Sequence, residues 1–259
     1  MAGAMRPLLS RLFTPTSTYI AMAGPSSSPT RRLAHLTRHL LASSSSGELS
    51  SVGAPAAAAA SPAREAASKA FAAVLVCIFE DPSGDPRVIL TKRASSLNSH
   101  SGEVSLPGGK VDEGDADVKT TALREAQEEI GLDPALVSVV TVLEPFLSKN
   151  GLDVTPVIGI LSDRGLFNPV LNKDEVEEIF DAPLEMFLKD DNRTTRERNW
   201  MGMTIPVQFF DYETEGKKYV IWGLTAHILT RAAAVVLQRQ PSFAELPKRP
   251  TSATVTSKH

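Results

Sequence analysis

From residue 70 onward, short apolar runs alternate with polar breaks, and that rhythm predicts the elements. Residues 70–79 form an unbroken apolar run of ten, rich in Val, Leu and Ile. A run of that length and composition reads as a strand buried on both faces. Asp81-Pro82-Ser83-Gly84-Asp85-Pro86 is a turn, and residues 87–91 are the returning strand. Residues 106–109 form a short extended piece broken by glycines, and residues 115–129 read as a helix. Two more strands follow at 137–143 and 154–161, then a short helix at 183–188. Residues 207–212 and 218–222 read as a hairpin around Glu213-Thr214-Glu215-Gly216. Leu224, Ile228, Ala232, Val235 and Val236 keep helical spacing, so a helix closes the domain near Gln238. Strands and helices mix without regular βαβ alternation, which predicts an α/β sandwich with a mixed sheet.

Ahead of this domain the pattern is different. Residues 1–47 hold Arg6, Arg11, Arg31, Arg32 and Arg38 and no acidic residue. The whole chain carries a net charge of −3, so the remainder is distinctly acidic. A Ser-rich, Arg-bearing, acid-free start is the composition of an organellar transit peptide, assigned to 1–29. Mitochondrion is favoured over chloroplast, and initiation at Met22 would give a cytosolic form. Leu33, Leu36, Leu40 and Leu41 mark an accessory helix at 30–41, with a second stretch of presequence as the alternative. Residues 42–68 are mostly Ala, Ser, Gly and Pro and read as a linker. The globular domain is placed at 69–240 and a flexible tail at 241–259.

Composition narrows the chemistry. The longest apolar run is ten residues against the roughly 20 of a membrane helix, so no integral membrane segment is expected. The net charge gives no nucleic-acid signature. Cys77 is the one cysteine, reads as a small core residue, and favours a reducing compartment. The five histidines are too scattered for a zinc site.

The informative segment is Arg124-Glu125-Ala126-Gln127-Glu128-Glu129-Ile130-Gly131-Leu132. On a helix, Glu125, Glu128 and Glu129 stand at i, i+3 and i+4 and share one face. Like charges at that spacing repel, and they crowd the helix C-terminus, where the macrodipole disfavours anions. A hard divalent cation would turn this liability into a site; the competing reading is a solvated acidic face. Gly131 is placed to cap the helix in the left-handed conformation. Upstream, Lys92 and Arg93 end a strand close to Gly108-Gly109, where glycines let backbone N–H groups approach phosphate oxygens.

This segment resembles the Nudix box, G-x5-E-x7-R-E-U-x-E-E-x-G-U, with U a bulky aliphatic residue. Ala126 is small for its position, Asp115 stands for the first glutamate, and Asp115 lies one residue further from Arg124 than the pattern has it. Both upstream departures leave the role of Asp115 open. The preceding stretch is similar to the motif of coenzyme A diphosphatases, L-[LM]-T-x-R-[SA]-x3-R-x3-G-x3-F-P-G-G. Leu90, Thr91, Arg93, Ala94, Gly102, Pro107, Gly108 and Gly109 match, while Asn98 and Leu106 replace Arg and Phe. The Arg-rich leader is similar to that of plant mitochondrial members.

The resemblance implies an α/β/α sandwich and a hydrolase that splits the pyrophosphate bond of coenzyme A or acyl-coenzyme A. The implied products are adenosine 3′,5′-bisphosphate and 4′-phosphopantetheine. Glu125, Glu128 and Glu129 would hold Mg²⁺ or Mn²⁺, with Glu128 or Glu129 acting on water and Arg124 orienting a neighbouring glutamate. Lys92, Arg93, Gly108 and Gly109 would bind the phosphates. A Nudix enzyme for ADP-ribose or NADH is the rival, and a catalytically silent Nudix-like binding module is a reading of another class. His100 reads as a loop residue with general acid as the alternative. The Glu175-Val176-Glu177-Glu178 cluster reads as the polar start of the short helix, with an additional general base as the alternative. Trp200 and Trp222 read as core or lid residues.

The leader gives a direct test. A reporter fused to residues 1–47 should accumulate in mitochondria when imaged in cells, and a diffuse cytosolic signal would overturn the assignment.

Overall fold

The computed structural model describes residues 71–200 and 203–244. The expected transit peptide, accessory helix and linker lie outside the described residues, as does most of the tail.

The apolar run becomes β1 (Phe71–Glu80), the central strand. A turn at Ser83-Gly84 returns the chain antiparallel as β2 (Pro86–Arg93). Then come β3 (Val104–Ser105), β4 (Gly108–Lys110), helix α1 (Val118–Ile130) and β5 (Val137–Val142). β6 (Phe146–Leu147), β7 (Asp153–Leu161) and β8 (Val176–Pro183) complete an eight-stranded sheet. β1 pairs in parallel with β7 and antiparallel with β2 and β4, so the sheet is mixed. A second sheet is built from β9 (Arg193–Trp200), β10 (Met203–Thr214) and β11 (Lys217–Trp222), and α2 (Gly223–Leu237) closes the domain. Among the described residues no helix is long and apolar enough to cross a membrane.

The unbroken apolar character of β1 follows from its position between two layers. Ala73, Leu75, Cys77 and Phe79 pack with Ala122, Ala126 and Ile130 of α1. Ala72, Val76 and Ile78 point the other way, into a core with Ile228, Leu229, Ala232 and Val236 of α2 and with Phe210 and Ile221 of the second sheet. Strand side chains alternate faces, so a strand covered on both sides has no polar position to spare. Cys77 is fully buried and burial pushes its thiol up to about 12, which makes it an inert packing group.

Two segments differ from the sequence expectation. The stretch before residue 183 is not the polar start of a helix. It is β8, paired with β2 from Arg93↔Val176 to Arg87↔Pro183. Only Leu184–Leu188 turns, as a 3-10 segment that buries Leu184, Phe187 and Leu188. Glu177 and Glu178 sit on an edge strand whose charges are answered by lysines, so local polarity misreports the backbone. β9 has no apolar signal, because its residues 194–199 are all exposed. The β10–β11 turn runs through Glu215 and Gly216, both at positive φ (51° and 72°), the geometry that matches strand twist in a two-residue hairpin.

Gly108 is required by the sheet. Its φ is +154°, and a Cβ there would lie 2.6 Å from the Val74 Cα as well as against the Ala73 carbonyl. Gly108→Ala should therefore destabilise the protein by about 2–4 kcal/mol, because backbone cannot give way as a side chain can. A urea melt checks this; a loss below about 0.5 kcal/mol would contradict the close pairing of β4 with β1.

Candidate active site

Helix α1 begins at an N-cap rather than at the first acidic residue. Asp117 is extended (φ −161°) and its carboxylate accepts the Thr120 N–H at 2.8 Å. Asp115 therefore lies in the preceding loop, and helical phase does not fix its distance from Arg124. That freedom absorbs the additional residue. Asp115 accepts Nε and Nη2 of Arg124 at 3.0 and 2.9 Å, the Thr121 hydroxyl at 2.9 Å and the Asp112 N–H at 3.0 Å. The Arg124 guanidinium, first among these, holds the Asp115 carboxyl well below the usual carboxylate range.

Arg124 is the hub of the site. Its Nη1 donates to Glu125 at 3.1 Å and to Glu128 at 2.9 Å, and its Nη2 reaches the Lys110 carbonyl at 3.1 Å. One side chain thus ties the loop after β4, the helix face and two of the three glutamates together. The helix ends at Gly131, in the left-handed conformation at φ 70°, with its N–H returned to the Gln127 carbonyl at 2.9 Å.

The three glutamates are not equivalent. Glu128 has a side chain 56% exposed and turned toward Arg124. Glu125 is largely covered, and its carboxylate occupies the space that a Cβ on Gly109 would need. Burial raises its pKa, with Arg124 pulling the other way. Glu129 is only 3% exposed, and its Oε2 accepts the Gly108 N–H at 3.2 Å. Burial pushes Glu129 up to about 7; the Gly108 N–H and the Arg93 charge oppose this, and Glu125 and Glu175 add to it.

Glu175 is the one member of the 175–178 cluster that acts on this pair. Its carbonyl accepts the Ala94 N–H at 2.8 Å, and the neighbouring Asn172 N–H donates to the Glu129 carbonyl at 2.9 Å. Those two bonds seat a fourth carboxylate where its charge raises the pKa of both Glu125 and Glu129. Nothing in the spacing of the cluster distinguished Glu175 from Glu177 and Glu178.

The other sequence candidates separate. Gly108 and Gly109 are beside the glutamates, as just described. The Arg93 charge acts on Glu129, while its own Nε is buried with no hydrogen-bond partner. Lys92 is not brought to the glutamates: its ammonium is held by Glu177 at 2.8 Å. His100 is exposed, at φ 55°, with Nδ1 2.8 Å from Glu103. Trp222 stacks on Phe209, and the side chain of Trp200 lies outside the described residues. A cavity of about 500 Å³ lies at the other end of β2, lined by Phe79, Arg87, Arg164, Phe180 and Tyr219 among others, and contains none of the glutamates.

Among the described residues, no three acidic, His or Cys groups are gathered into a ready metal cage. Glu125 and Glu129 nevertheless fit a hard cation by chemistry and environment. Both offer carboxylate oxygens, both have their pKa raised by burial, and further carboxylates add to the rise at each, Glu128 and Glu175 at Glu125, and Glu125 and Glu175 at Glu129. Glu128 would have to leave Arg124 to join them.

The chain matches the NUDIX domain over residues 69–204. It belongs to the NUDIX family. It is 64% identical over 174 residues to "Nudix hydrolase 15, mitochondrial" of Arabidopsis thaliana, covering 67% of this chain and 61% of the relative. It is also 64% identical over 174 residues to "Nudix hydrolase 22, chloroplastic" of the same organism, covering 67% and 58%. It is 38% identical over 158 residues to "Peroxisomal coenzyme A diphosphatase NUDT7" of Mus musculus, covering 60% and 66%. The chain thus spans about 60% of the length of the two plant Nudix relatives. The described glutamates and Arg124 all fall inside the Nudix match.

The buried Glu129 gives a pH signature. In the folded state it keeps its proton up to about 7, against 4.5 for the ordinary group. Between those values the unfolded state binds fewer protons, so stability falls as pH rises, by about 3 kcal/mol in all. In EDTA, Glu129→Gln should match the parent at pH 5 and melt at a higher temperature at pH 8. Parallel melting profiles across that range would refute the buried carboxylate.

Proposed function

We propose that this Nudix protein is a divalent-cation-dependent hydrolase that cleaves the pyrophosphate bond of coenzyme A or acyl-coenzyme A. Adenosine 3′,5′-bisphosphate and the (acyl-)4′-phosphopantetheine are the products. The observation that carries the reading is Arg93. A guanidinium with a buried, unpartnered Nε beside a buried glutamate is an incomplete charge arrangement, and an anionic ligand completes it. The stretch from Leu90 to Gly109 supports the coenzyme, as does the relative named as a coenzyme A diphosphatase. Asn98, in place of the motif's second Arg, is the feature that keeps the rival substrates ADP-ribose and NADH in contention.

Glu125, Glu128 and Glu129 would hold Mg²⁺ or Mn²⁺, which supplies charge neutralisation at the phosphates and a lowered pKa for water. The chain's own residues do the rest. Arg93 grips a phosphate oxygen, and the backbone at Gly108 and Gly109 lets the diphosphate lie close to β4. Glu128 or Glu129 takes the proton from the attacking water, with Glu175, whose charge acts on Glu125 and Glu129, as a further acceptor. Arg124 fixes Glu125 relative to the loop that carries Asp115, and releases Glu128 when that side chain joins the cation. The composition of the leader and the name of the Arabidopsis relative support a mitochondrial location, with the chloroplast as the alternative.

Steady-state assays with Mg²⁺ and Mn²⁺ test the reading. Coenzyme A or an acyl-coenzyme A should exceed ADP-ribose and NADH by at least about tenfold in kcat/KM, and the reverse order would overturn it. Arg93→Ala should raise KM with kcat little changed, since a phosphate grip made in the ground state is uniform binding. A lower kcat at unchanged KM would instead assign Arg93 to the transition state.

A further inference from the structure

Of the three acids at 175–178, two are neutralised. Glu177 accepts from the Lys92 ammonium and the Ser95 hydroxyl, and Glu178 from Lys217 and the Tyr219 hydroxyl. Glu175 has no ion pair among the described residues. Its carboxylate accepts one side-chain hydrogen bond, from Nδ2 of Asn172 at 3.4 Å. A half-buried carboxylate whose charge acts on two others is costly to keep in place, so the fold must supply what holds it.

The connection from β7 to β8 is fixed along its length. At its start the Arg164 guanidinium carbon lies 5.6 Å from the Phe79 ring centroid and 5.0 Å from that of Phe167, and Nη1 donates to the Phe167 carbonyl at 3.0 Å. Phe167 and Leu171 then pack into the core on the α1 side of the sheet. The Val170 N–H donates to the Ile130 carbonyl at 3.0 Å and the Asn172 N–H to that of Glu129 at 2.9 Å. Carbonyls of the last helical turn have no partner inside the helix, and here the loop supplies two of their donors. Gly131 leaves the room: a Cβ there would lie 3.0 Å from Val170.

Asn172 is where this loop turns toward the glutamates. Its carbonyl accepts the Glu175 N–H at 3.1 Å and the Val176 N–H at 2.8 Å. Its side-chain Oδ1 accepts the Asp174 N–H at 3.2 Å, which closes an Asx turn. Its Nδ2 faces the Glu175 carboxylate. An amide side chain carries an acceptor and a donor together, so Asn172 shapes the turn with one atom and meets the carboxylate with the other. Its backbone is meanwhile bonded to Glu129, so one residue sets Glu175 and the end of α1 relative to each other.

We propose that Asn172 is a positioning residue of the hydrolytic site: it docks the β7–β8 loop on the last turn of α1 and holds the Glu175 carboxylate toward Glu125 and Glu129. This rests on the hydrolase reading above and deepens it. Glu175, so held, adds its charge to the pair that would receive the divalent cation and serves as the further proton acceptor. The competing account of the same residues is local, with Asn172 shaping the turn through Oδ1 alone and Glu175 a solvated acid.

The test uses the full chain and four variants: Asn172→Ala, Asn172→Asp, Glu175→Gln and the double variant Asn172→Ala/Glu175→Gln. Asn172→Asp keeps the acceptor for the Asp174 N–H but loses the donor to Glu175, so it separates the two accounts. Turnover is measured at saturating Mn²⁺ with whichever of coenzyme A, ADP-ribose and NADH the parent hydrolyses fastest. Mn²⁺ binding to the substrate-free protein is measured by calorimetry, and a thermal melt in EDTA checks each fold. Asn172→Ala, Asn172→Asp and Glu175→Gln should each lower kcat by at least about tenfold with KM little changed. The double variant should stay within about twofold of Glu175→Gln, because residues that act through one another are not additive. Asn172→Ala and Glu175→Gln should each bind Mn²⁺ at least about threefold more weakly than the parent. Parental kcat in Asn172→Asp, or a full further loss when Asn172→Ala is added to Glu175→Gln, overturns the proposal. Where Asn172→Ala melts well below the parent, Asn172→Asp decides. If the parent hydrolyses none of the three substrates, the hydrolase reading fails. The role of Asn172 is then decided by calorimetry: parental Mn²⁺ affinity in Asn172→Ala refutes it.

Discussion

Keeping two carboxylates charged on one covered helix face is costly, and the architecture around α1 answers to that constraint. Glu125 and Glu129 face β4, where the sheet has glycines in place of side chains. The Gly108 N–H and the Arg93 charge offset part of the cost at Glu129, and Arg124 does the same at Glu125. The offset is incomplete, since burial still leaves both pKa values raised. A site that stays electrostatically unfinished in the bare protein is one in which a bound cation and an anionic substrate can each bring a net gain.

The remainder of the fold holds that face in place. The parallel pairing of β1 with β7 puts β1 in mid-sheet, where one set of its side chains packs α1 and the other packs α2. β4 is short, yet it pairs with β1 at Ala73↔Gly109 and Val74↔Gly108, so the glycines cannot drift from the helix. Arg124 locks the far side, through Asp115 and the Lys110 carbonyl. Asp115 makes its contacts to Arg124 from outside the helix. A carboxylate in the loop before the N-cap reaches Arg124 without matching the helix register.

The chain divides its positive charges between two tasks. Most arginines serve as structural partners, and the paired ones sit where a strand or helix end needs fixing, as Arg87 does against Asp181 at the start of β2. Arg93 differs from them: its Nε is buried with no hydrogen-bond partner. Lys92 shows how readily adjacent residues split between these roles. It follows Thr91 and precedes Arg93 on the same strand, but its ammonium is committed to Glu177.

How much was legible in the sequence depends on whether a contact is local. The order of β1, β2, α1, β5, β7, β10, β11 and α2 follows from hydrophobic periodicity, because each buries a face through its own side-chain spacing. The shared face of Glu125, Glu128 and Glu129 follows from spacing within one helix, since i, i+3 and i+4 always share a face, and the same segment carries the resemblance to the Nudix box. β8 and β9 were not readable, because polar edge strands owe their shape to a neighbouring strand rather than to their own pattern. For the same reason the sequence determined that Glu125, Glu128 and Glu129 lie together, but not that Glu129 alone is nearly inaccessible while Glu128 remains over half exposed. The cluster at 175–178 could not be resolved into one residue whose charge acts on the glutamates and two that bind lysines. Nor could residues of three strands be assembled into the packing of Arg196 and Arg198 against Phe209, and of Phe209 against Trp222. Burial and long-range pairing depend on which distant segment covers a side chain, and only the tertiary structure decides that.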